Sequence, residues 1–196
     1  MKKIITDEIY GAKYCKKINA KLWRFNTIPN AIKVLNDHFK PTSVIDVGCA
    51  NGIHLKAFKD LGVQDLFGIE GTVHWASYIE ENHGDKYKIL DFREPLHPTR
   101  TYDLVLCLEV LEHLEKSAAR QAVINLISLG STLCISANPS GGGHYHVNPQ
   151  PRDYWIKLFE KHGVKYQQAE SEHLEKKFSN IQCSAWFKEN LKVFRK

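Results

Sequence analysis

Short apolar runs alternate with longer stretches whose apolar positions recur every three or four residues. This pattern predicts an α/β domain, with strands and crossover helices taking turns around a mostly parallel sheet. Five runs read as strands, residues 43–47, 66–70, 87–90, 102–108 and 132–137, and the first, fourth and fifth are apolar almost throughout, as strands covered on both faces are. Residues 52–61 and 72–83 read as helices stopped by Gly62 and Gly84, and residues 116–129 as a third closed by Gly130. Pro151 would open another, with Tyr154, Trp155, Leu158 and Phe159 on its apolar face and Gly163 at its end. Residues 164–169 and 181–187 predict two late strands in a hairpin-like antiparallel edge joined by the charged segment 170–180. Before Pro41, Ile18, Leu22 and Phe25, then Ala31, Ile32, Leu35 and Phe39, mark two amphipathic helices expected to act as a lid or cap.

With 196 residues, 43% of them hydrophobic, the chain is long enough for one full core and too short for two comfortable ones. A single domain over residues 1–196 is expected, with 1–40 as the helical cap and 41–196 as the α/β core. No apolar run approaches the roughly eighteen residues of a membrane span, and the opening MKKIITDEIYG turns acidic before a leader's apolar segment develops. Cys15, Cys49, Cys107, Cys134 and Cys183 are odd in number and widely spaced, without a C-x-x-C pair, so a reducing cytoplasm is the expected location. The net charge of +5 is scattered, the usual form of a solvated face; oligomeric state leaves no signal.

The chemistry starts at VIDVGCANG, residues 44–52, a buried strand running into a glycine turn ahead of a helix. That corner places backbone N–H groups and the positive end of a helix dipole beneath a ligand, and its small residues let the ligand approach the backbone. The dinucleotide pattern G-x-G-x-x-G would need glycines at 48, 50 and 53, where the chain has Gly48, Ala50 and Ile53. It matches instead D-x-G-x-[GA]-x-G, with Asp46 before the loop and Gly52 closing it.

On those residues the chain, over roughly positions 40–170, resembles the class I S-adenosylmethionine-dependent methyltransferases. The resemblance implies a Rossmann-like, mostly parallel seven-stranded sheet with an antiparallel edge strand, and S-adenosylmethionine as the cofactor, leaving S-adenosylhomocysteine as product. It assigns the cofactor to the loop residues Asp46, Gly48, Cys49, Ala50 and Gly52 and to Glu70-Gly71 after the second strand, where a carboxylate offers two acceptor oxygens to the ribose diol. Asp91-Phe92 would take the adenine, and Leu108, in YDLVLCLEVLEH (residues 102–113), would run under the cofactor. Asp46 would organise the loop through backbone N–H groups, and Arg24 would pair with the methionyl carboxylate if the lid closes; an ordinary surface arginine is the competing reading.

The fourth strand delivers Glu109, Glu112 and His113, which share one face if a helix starts there and could hold a divalent cation such as Mg2+. The pattern E-x-x-E-H resembles the metal-binding segment of the ubiquinone-pathway O-methyltransferases and of enzymes that 2′-O-methylate the 3′ end of small RNAs; a capping acid with a structural histidine is the alternative. The loop SGGGHYHVNP, residues 140–149, brings His144 and His146, which share a face if the chain is extended. Either of them, or His113, could take the acceptor's proton, and His146 could complete a metal shell. The expected activity is O-methylation of a small hydroxylated molecule or sugar. RNA methylation at a terminal ribose, or a non-catalytic partner subunit, are the alternatives.

Overall fold

In a computed structural model, residues 6–24 and 27–196 are described, apart from the side chains of residues 6 and 22–24. Three helices, α1 (Thr6–Ile9), α2 (Ala12–Arg24) and α3 (Ile28–Phe39), precede the sheet. One more helix forms than the two expected, and Phe25, assigned to the first of them, lies outside the described residues. Then follow β1 (Ser43–Val47), α4 (Ile53–Asp60), β2 (Asp65–Glu70), a 3-10 turn Val73–Trp75, α5 (Ala76–His83), β3 (Tyr87–Ile89) and β4 (Leu104–Leu108). A second 3-10 turn, Leu111–His113, leads to α6 (Ala119–Leu129), β5 (Thr132–Ser136), α7 (Arg152–Lys161), β6 (Lys165–Tyr166), α8 (Gln168–Ser179), α9 (Ala185–Glu189) and β7 (Lys192–Arg195).

The seven strands lie in the order β3-β2-β1-β4-β5-β7-β6. The first five run parallel, and at the far end β7 lies antiparallel between β5 and the edge strand β6. Every residue of β1, β4 and β5 is buried, and the alternation of side chains divides the core in two. Val44, Leu104, Leu106 and Cys134 meet α3, α4, α8 and α9 on one face, while Ile45, Val105, Leu133 and Ile135 meet α6 and α7 on the other. Strand order reverses between β1 and β4, so a crevice opens beyond their carboxyl ends, the usual ligand position in open α/β sheets.

The expected late hairpin is corrected. Residues 181–187 form no strand: Ser184 opens α9, whose Phe187 is buried against Phe178 of α8 with 5.2 Å between ring centres. The charged segment 170–180, expected as a connector, is mostly helix, since Ser171, Leu174 and Phe178 fall on one buried face at helical spacing. The partner of β6 is β7, with Lys165 opposite Arg195. Among the described residues no helix is long and apolar enough to cross a membrane, and all five cysteines are free.

Candidate active site

β1 ends in Gly48, whose N–H, like that of Cys49, donates to the Ile69 carbonyl of β2, at 2.8 and 3.1 Å. The turn needs glycine here for two reasons: φ is +75°, and a Cβ would lie 2.4 Å from a methyl of Val110 at the end of β4. Ala50, at φ 48°, holds a left-handed conformation without glycine's freedom, and its N–H donates to Glu70 Oε2 at 2.9 Å. Glu70 Oε1 accepts from Gly71 N–H (2.8 Å) and Thr72 N–H (3.2 Å). Burial raises the Glu70 carboxyl to about 7, against the three N–H bonds that favour its charge. Asp46 plays a different part from the one expected: Oδ2 lies 3.0 Å from Nδ1 of His54, and the backbone N–H that ties down Ala50 goes to Glu70.

The cleft beyond these strand ends is lined by six of the expected cofactor residues, Gly48, Ala50, Glu70, Gly71, Asp91 and Phe92. Asp46, Cys49, Gly52 and Leu108 do not line it, and the side chain of Arg24 lies outside the described residues. Val47, Ile69 and Val110 add apolar surface, and Trp75 lies beside them. The N-terminal helices cover one side with Tyr10, Tyr14 and Ile18. Asp7 accepts from the Thr72 hydroxyl (2.7 Å) and Val73 N–H (3.1 Å), and Asn51 Nδ2 donates to Asn19 Oδ1 (2.8 Å).

Asp91 is bound by Arg93, two residues on: Nε to Oδ1 at 2.8 Å and a terminal nitrogen to Oδ2 at 2.6 Å. The segment that carries them is held from behind by Asn125 of α6, only 1% exposed, which donates to the carbonyls of Phe92 and Glu94 and accepts from Leu96 N–H. Sequence reading missed Asn125, since an asparagine within an apolar helix face carries no sign of its distant partners. Asn125→Ala strands three backbone groups, of which the Phe92 carbonyl is buried; it is expected to cost about 1–3 kcal/mol in denaturant unfolding.

Glu109 follows β4 at φ 56°, a left-handed conformation costing a non-glycine residue about 1–3 kcal/mol. The expected shared face of Glu109, Glu112 and His113 does not form, because only one 3-10 turn follows. Glu109 turns toward Asn190, whose Nδ2 lies 3.3 Å from Oε1, while Glu112, His113 and His146 each bring one ligand atom within 4.8 Å of the others. Both Glu112 oxygens are buried without a hydrogen-bond partner, and burial, with Glu109 nearby, lifts that carboxyl to about 8. Burial and then the neighbouring His146 push His113 down to about 4, so its ring is neutral at neutral pH.

Tyr145, at φ 56°, breaks the extended path expected for the histidine loop, and the two histidines part. His144 stacks on Tyr14, 4.3 Å between ring centres, and its Nε2 donates to the Ile9 carbonyl (3.1 Å), so it backs two residues of the cleft wall without lining the cleft itself. His146 lies beside His113, 4.8 Å between centres, under Gly143, where a Cβ would meet its ring at 2.2 Å. His113 Nδ1 lies 2.8 Å from the Tyr10 hydroxyl and 3.2 Å from the Tyr145 carbonyl. A carbonyl only accepts, which favours the proton on Nδ1 and a lone pair on Nε2. His146 Nδ1 likewise faces the Ser140 carbonyl at 3.1 Å.

A family model described as a methyltransferase domain matches residues 21–174. Among curated proteins, the ubiquinone biosynthesis O-methyltransferase of Rickettsia felis is 29% identical over 102 residues, covering 49% of this chain and 41% of that protein. The chain thus spans less than half the length of that relative. Among solved structures, a TehB-like SAM-dependent methyltransferase from Corynebacterium glutamicum superposes with a TM-score of 0.72 at 15% identity, covering 94% of this chain and 96% of the other. SAM-bound CalS10, an amino pentose methyltransferase from Micromonospora echinaspora, does so with 0.66 at 14% identity, covering 91% and 96%. At such identities the two likenesses show the fold.

Proposed function

The chain belongs to the methyltransferase-domain family, and from that premise we propose that it transfers the methyl group of S-adenosylmethionine to an oxygen of a small hydroxylated acceptor. The observation that carries the reading is the meeting of two groups of side chains at one strand-end crevice. Glu70 and Asp91 lie in a cleft with apolar walls, and His113 joins that cleft to the cluster with Glu112 and His146. The donor set fits a nucleoside: a buried carboxylate for a vicinal diol, a second acid beside Phe92 for a base edge, and an apolar slot for the ring.

When bound, S-adenosylmethionine supplies a methyl group on a positively charged sulfur, already activated for displacement. Glu70 would accept the ribose hydroxyls, Asp91 and Phe92 would take the adenine, and the loop at Gly48 and Ala50 would hold the methionyl part. Residues 6–24, latched at Asp7, Tyr10 and Asn19, serve as the cap of this single domain and exclude water. Alignment of the acceptor supplies most of the remaining rate, and the imidazole of His113 or His146 takes its proton. His144, turned toward Ile9, supports the loop.

In place of that proton transfer, the unpartnered oxygens of Glu112 fit a divalent cation, held with His113 and His146, which would lower the pKa of an acceptor hydroxyl. Two imidazoles and one carboxylate suit Zn2+ or Fe2+ better than Mg2+, which prefers oxygen ligands. Glu109, bonded to Asn190, stands outside that set.

A second reading, methylation of RNA at a terminal ribose, draws support from the net charge of +5 and from a groove bearing Lys86, Lys88 and His97, in which Arg100 is paired with Asp65. Transfer of a labelled methyl group to phenols, sugars and RNA oligonucleotides tests both. Product with a small hydroxylated acceptor is expected; salt-sensitive turnover on RNA alone would favour the second reading. Cofactor binding without turnover on any acceptor would point to a non-catalytic subunit.

A further inference from the structure

We infer that Arg93 sets the base specificity of the cleft by fixing the plane of the Asp91 carboxylate, which can only accept hydrogen bonds, so that an amino-bearing purine is taken and its oxo counterpart rejected. The inference rests on the nucleoside reading of the cleft and goes beyond it by naming which purine edge is selected and which side chain enforces the choice. Three charged side chains, Asp91, Arg93 and Glu115, line this end of the cleft together with Phe92 and Leu114.

The guanidinium meets Asp91 fork to fork, at 2.8 Å to one oxygen and 2.6 Å to the other, and the Arg93 backbone N–H adds a third bond to Oδ1 at 3.0 Å. The remaining terminal nitrogen reaches both oxygens of Glu115 at 3.4 Å, so the arginine is anchored across the gap between the segments that follow β3 and β4. The pair is shielded, Arg93 being 18% and Asp91 24% exposed. A carboxylate gripped in this way has no proton to donate, and its plane is fixed by the rigid fork, which a lysine ammonium cannot reproduce.

The consequence follows from donor and acceptor chemistry alone. Adenine presents an amino group, which donates to such a carboxylate. Hypoxanthine presents a carbonyl oxygen at the same position and carries its proton on the neighbouring ring nitrogen, so a carboxylate held in one plane against the amino position meets a second acceptor there, which leaves both without a partner and repels. A carboxylate released from the fork could turn to meet either base, so the selectivity belongs to the arginine as much as to the aspartate. No feature of local sequence announces this role, since a D-x-R triplet is ordinary on any surface loop.

Titration calorimetry with S-adenosylhomocysteine and S-inosylhomocysteine, on the wild type, Arg93→Ala and Arg93→Lys, tests the inference. The wild type is expected to prefer the adenosyl compound by about tenfold to a hundredfold, the range of one charge-assisted hydrogen bond. In Arg93→Ala that preference is expected to fall below about threefold, and in Arg93→Lys to an intermediate value, because the charge stays and the fork goes. Should Arg93→Ala fail to fold on thermal melting, the lysine variant carries the test alone. A preference as large as the wild type's in each folded variant would overturn the inference. Failure of the wild type to bind S-adenosylhomocysteine at all would instead overturn the nucleoside reading beneath it.

Discussion

Glu70→Ala is expected to weaken binding of S-adenosylhomocysteine by about a hundredfold or more, the largest single effect on the cofactor side. Two losses combine. The ribose hydroxyls forfeit a charged acceptor worth about 1.5–3 kcal/mol per hydrogen bond. The N–H groups of Ala50, Gly71 and Thr72 lose the oxygens that hold the glycine turn against β2. The raised carboxyl adds a pH signature. Hydroxyl donors require the ionised form, so wild-type affinity should fall as pH drops below about 7, while Glu70→Gln should bind weakly with little pH dependence.

The same shift acts in the opposite sense on the unliganded protein. A carboxyl whose folded value lies near 7, above its ordinary 4.5, contributes stability that is fully present below the ordinary value and lost as pH rises through about 7. Melting temperatures of Glu70→Gln relative to wild type should therefore improve from pH 5 to pH 8. A difference that stays constant across that range would contradict the burial of this acid.

The second large effect lies on the acceptor side. Glu112→Ala combined with His146→Ala is expected to reduce turnover by about 10²–10⁴-fold, the range supplied by a positioned acid or base, with affinity for S-adenosylhomocysteine changed less than about threefold. The expectation follows from placement: neither residue lines the cofactor cleft, whereas both meet His113 at its edge. Measurement of kcat beside calorimetric affinity separates the two contributions. Full turnover in the double variant would remove the proposed chemical site and leave the cluster a structural one.

How much of this was legible in the chain depends on how local the cause is. β1, β4 and β5 announce themselves because strands buried on both faces are apolar almost throughout, and the acids near the strand ends follow from counting. α8 was hidden because its buried stripe is only Ser171, Leu174 and Phe178 amid charge, and β7 because its four residues include two cations, one of them the buried Lys192. The left-handed turn at Glu109, which separates it from Glu112 and His113, has no glycine to mark it. Arg93 bridging to Glu115, Asn125 holding Phe92 and Tyr10 reaching His113 link positions 22, 33 and 103 residues apart, where no periodicity speaks.

The most direct test of the central claim is a crystal structure grown with S-adenosylhomocysteine. Density for its ribose against the Glu70 carboxylate, with the adenine beside Asp91 and Phe92 and the homocysteine sulfur directed toward His113, is the expected result. A cleft that stays empty at saturating ligand, or that takes a nicotinamide dinucleotide in its place, would contradict it.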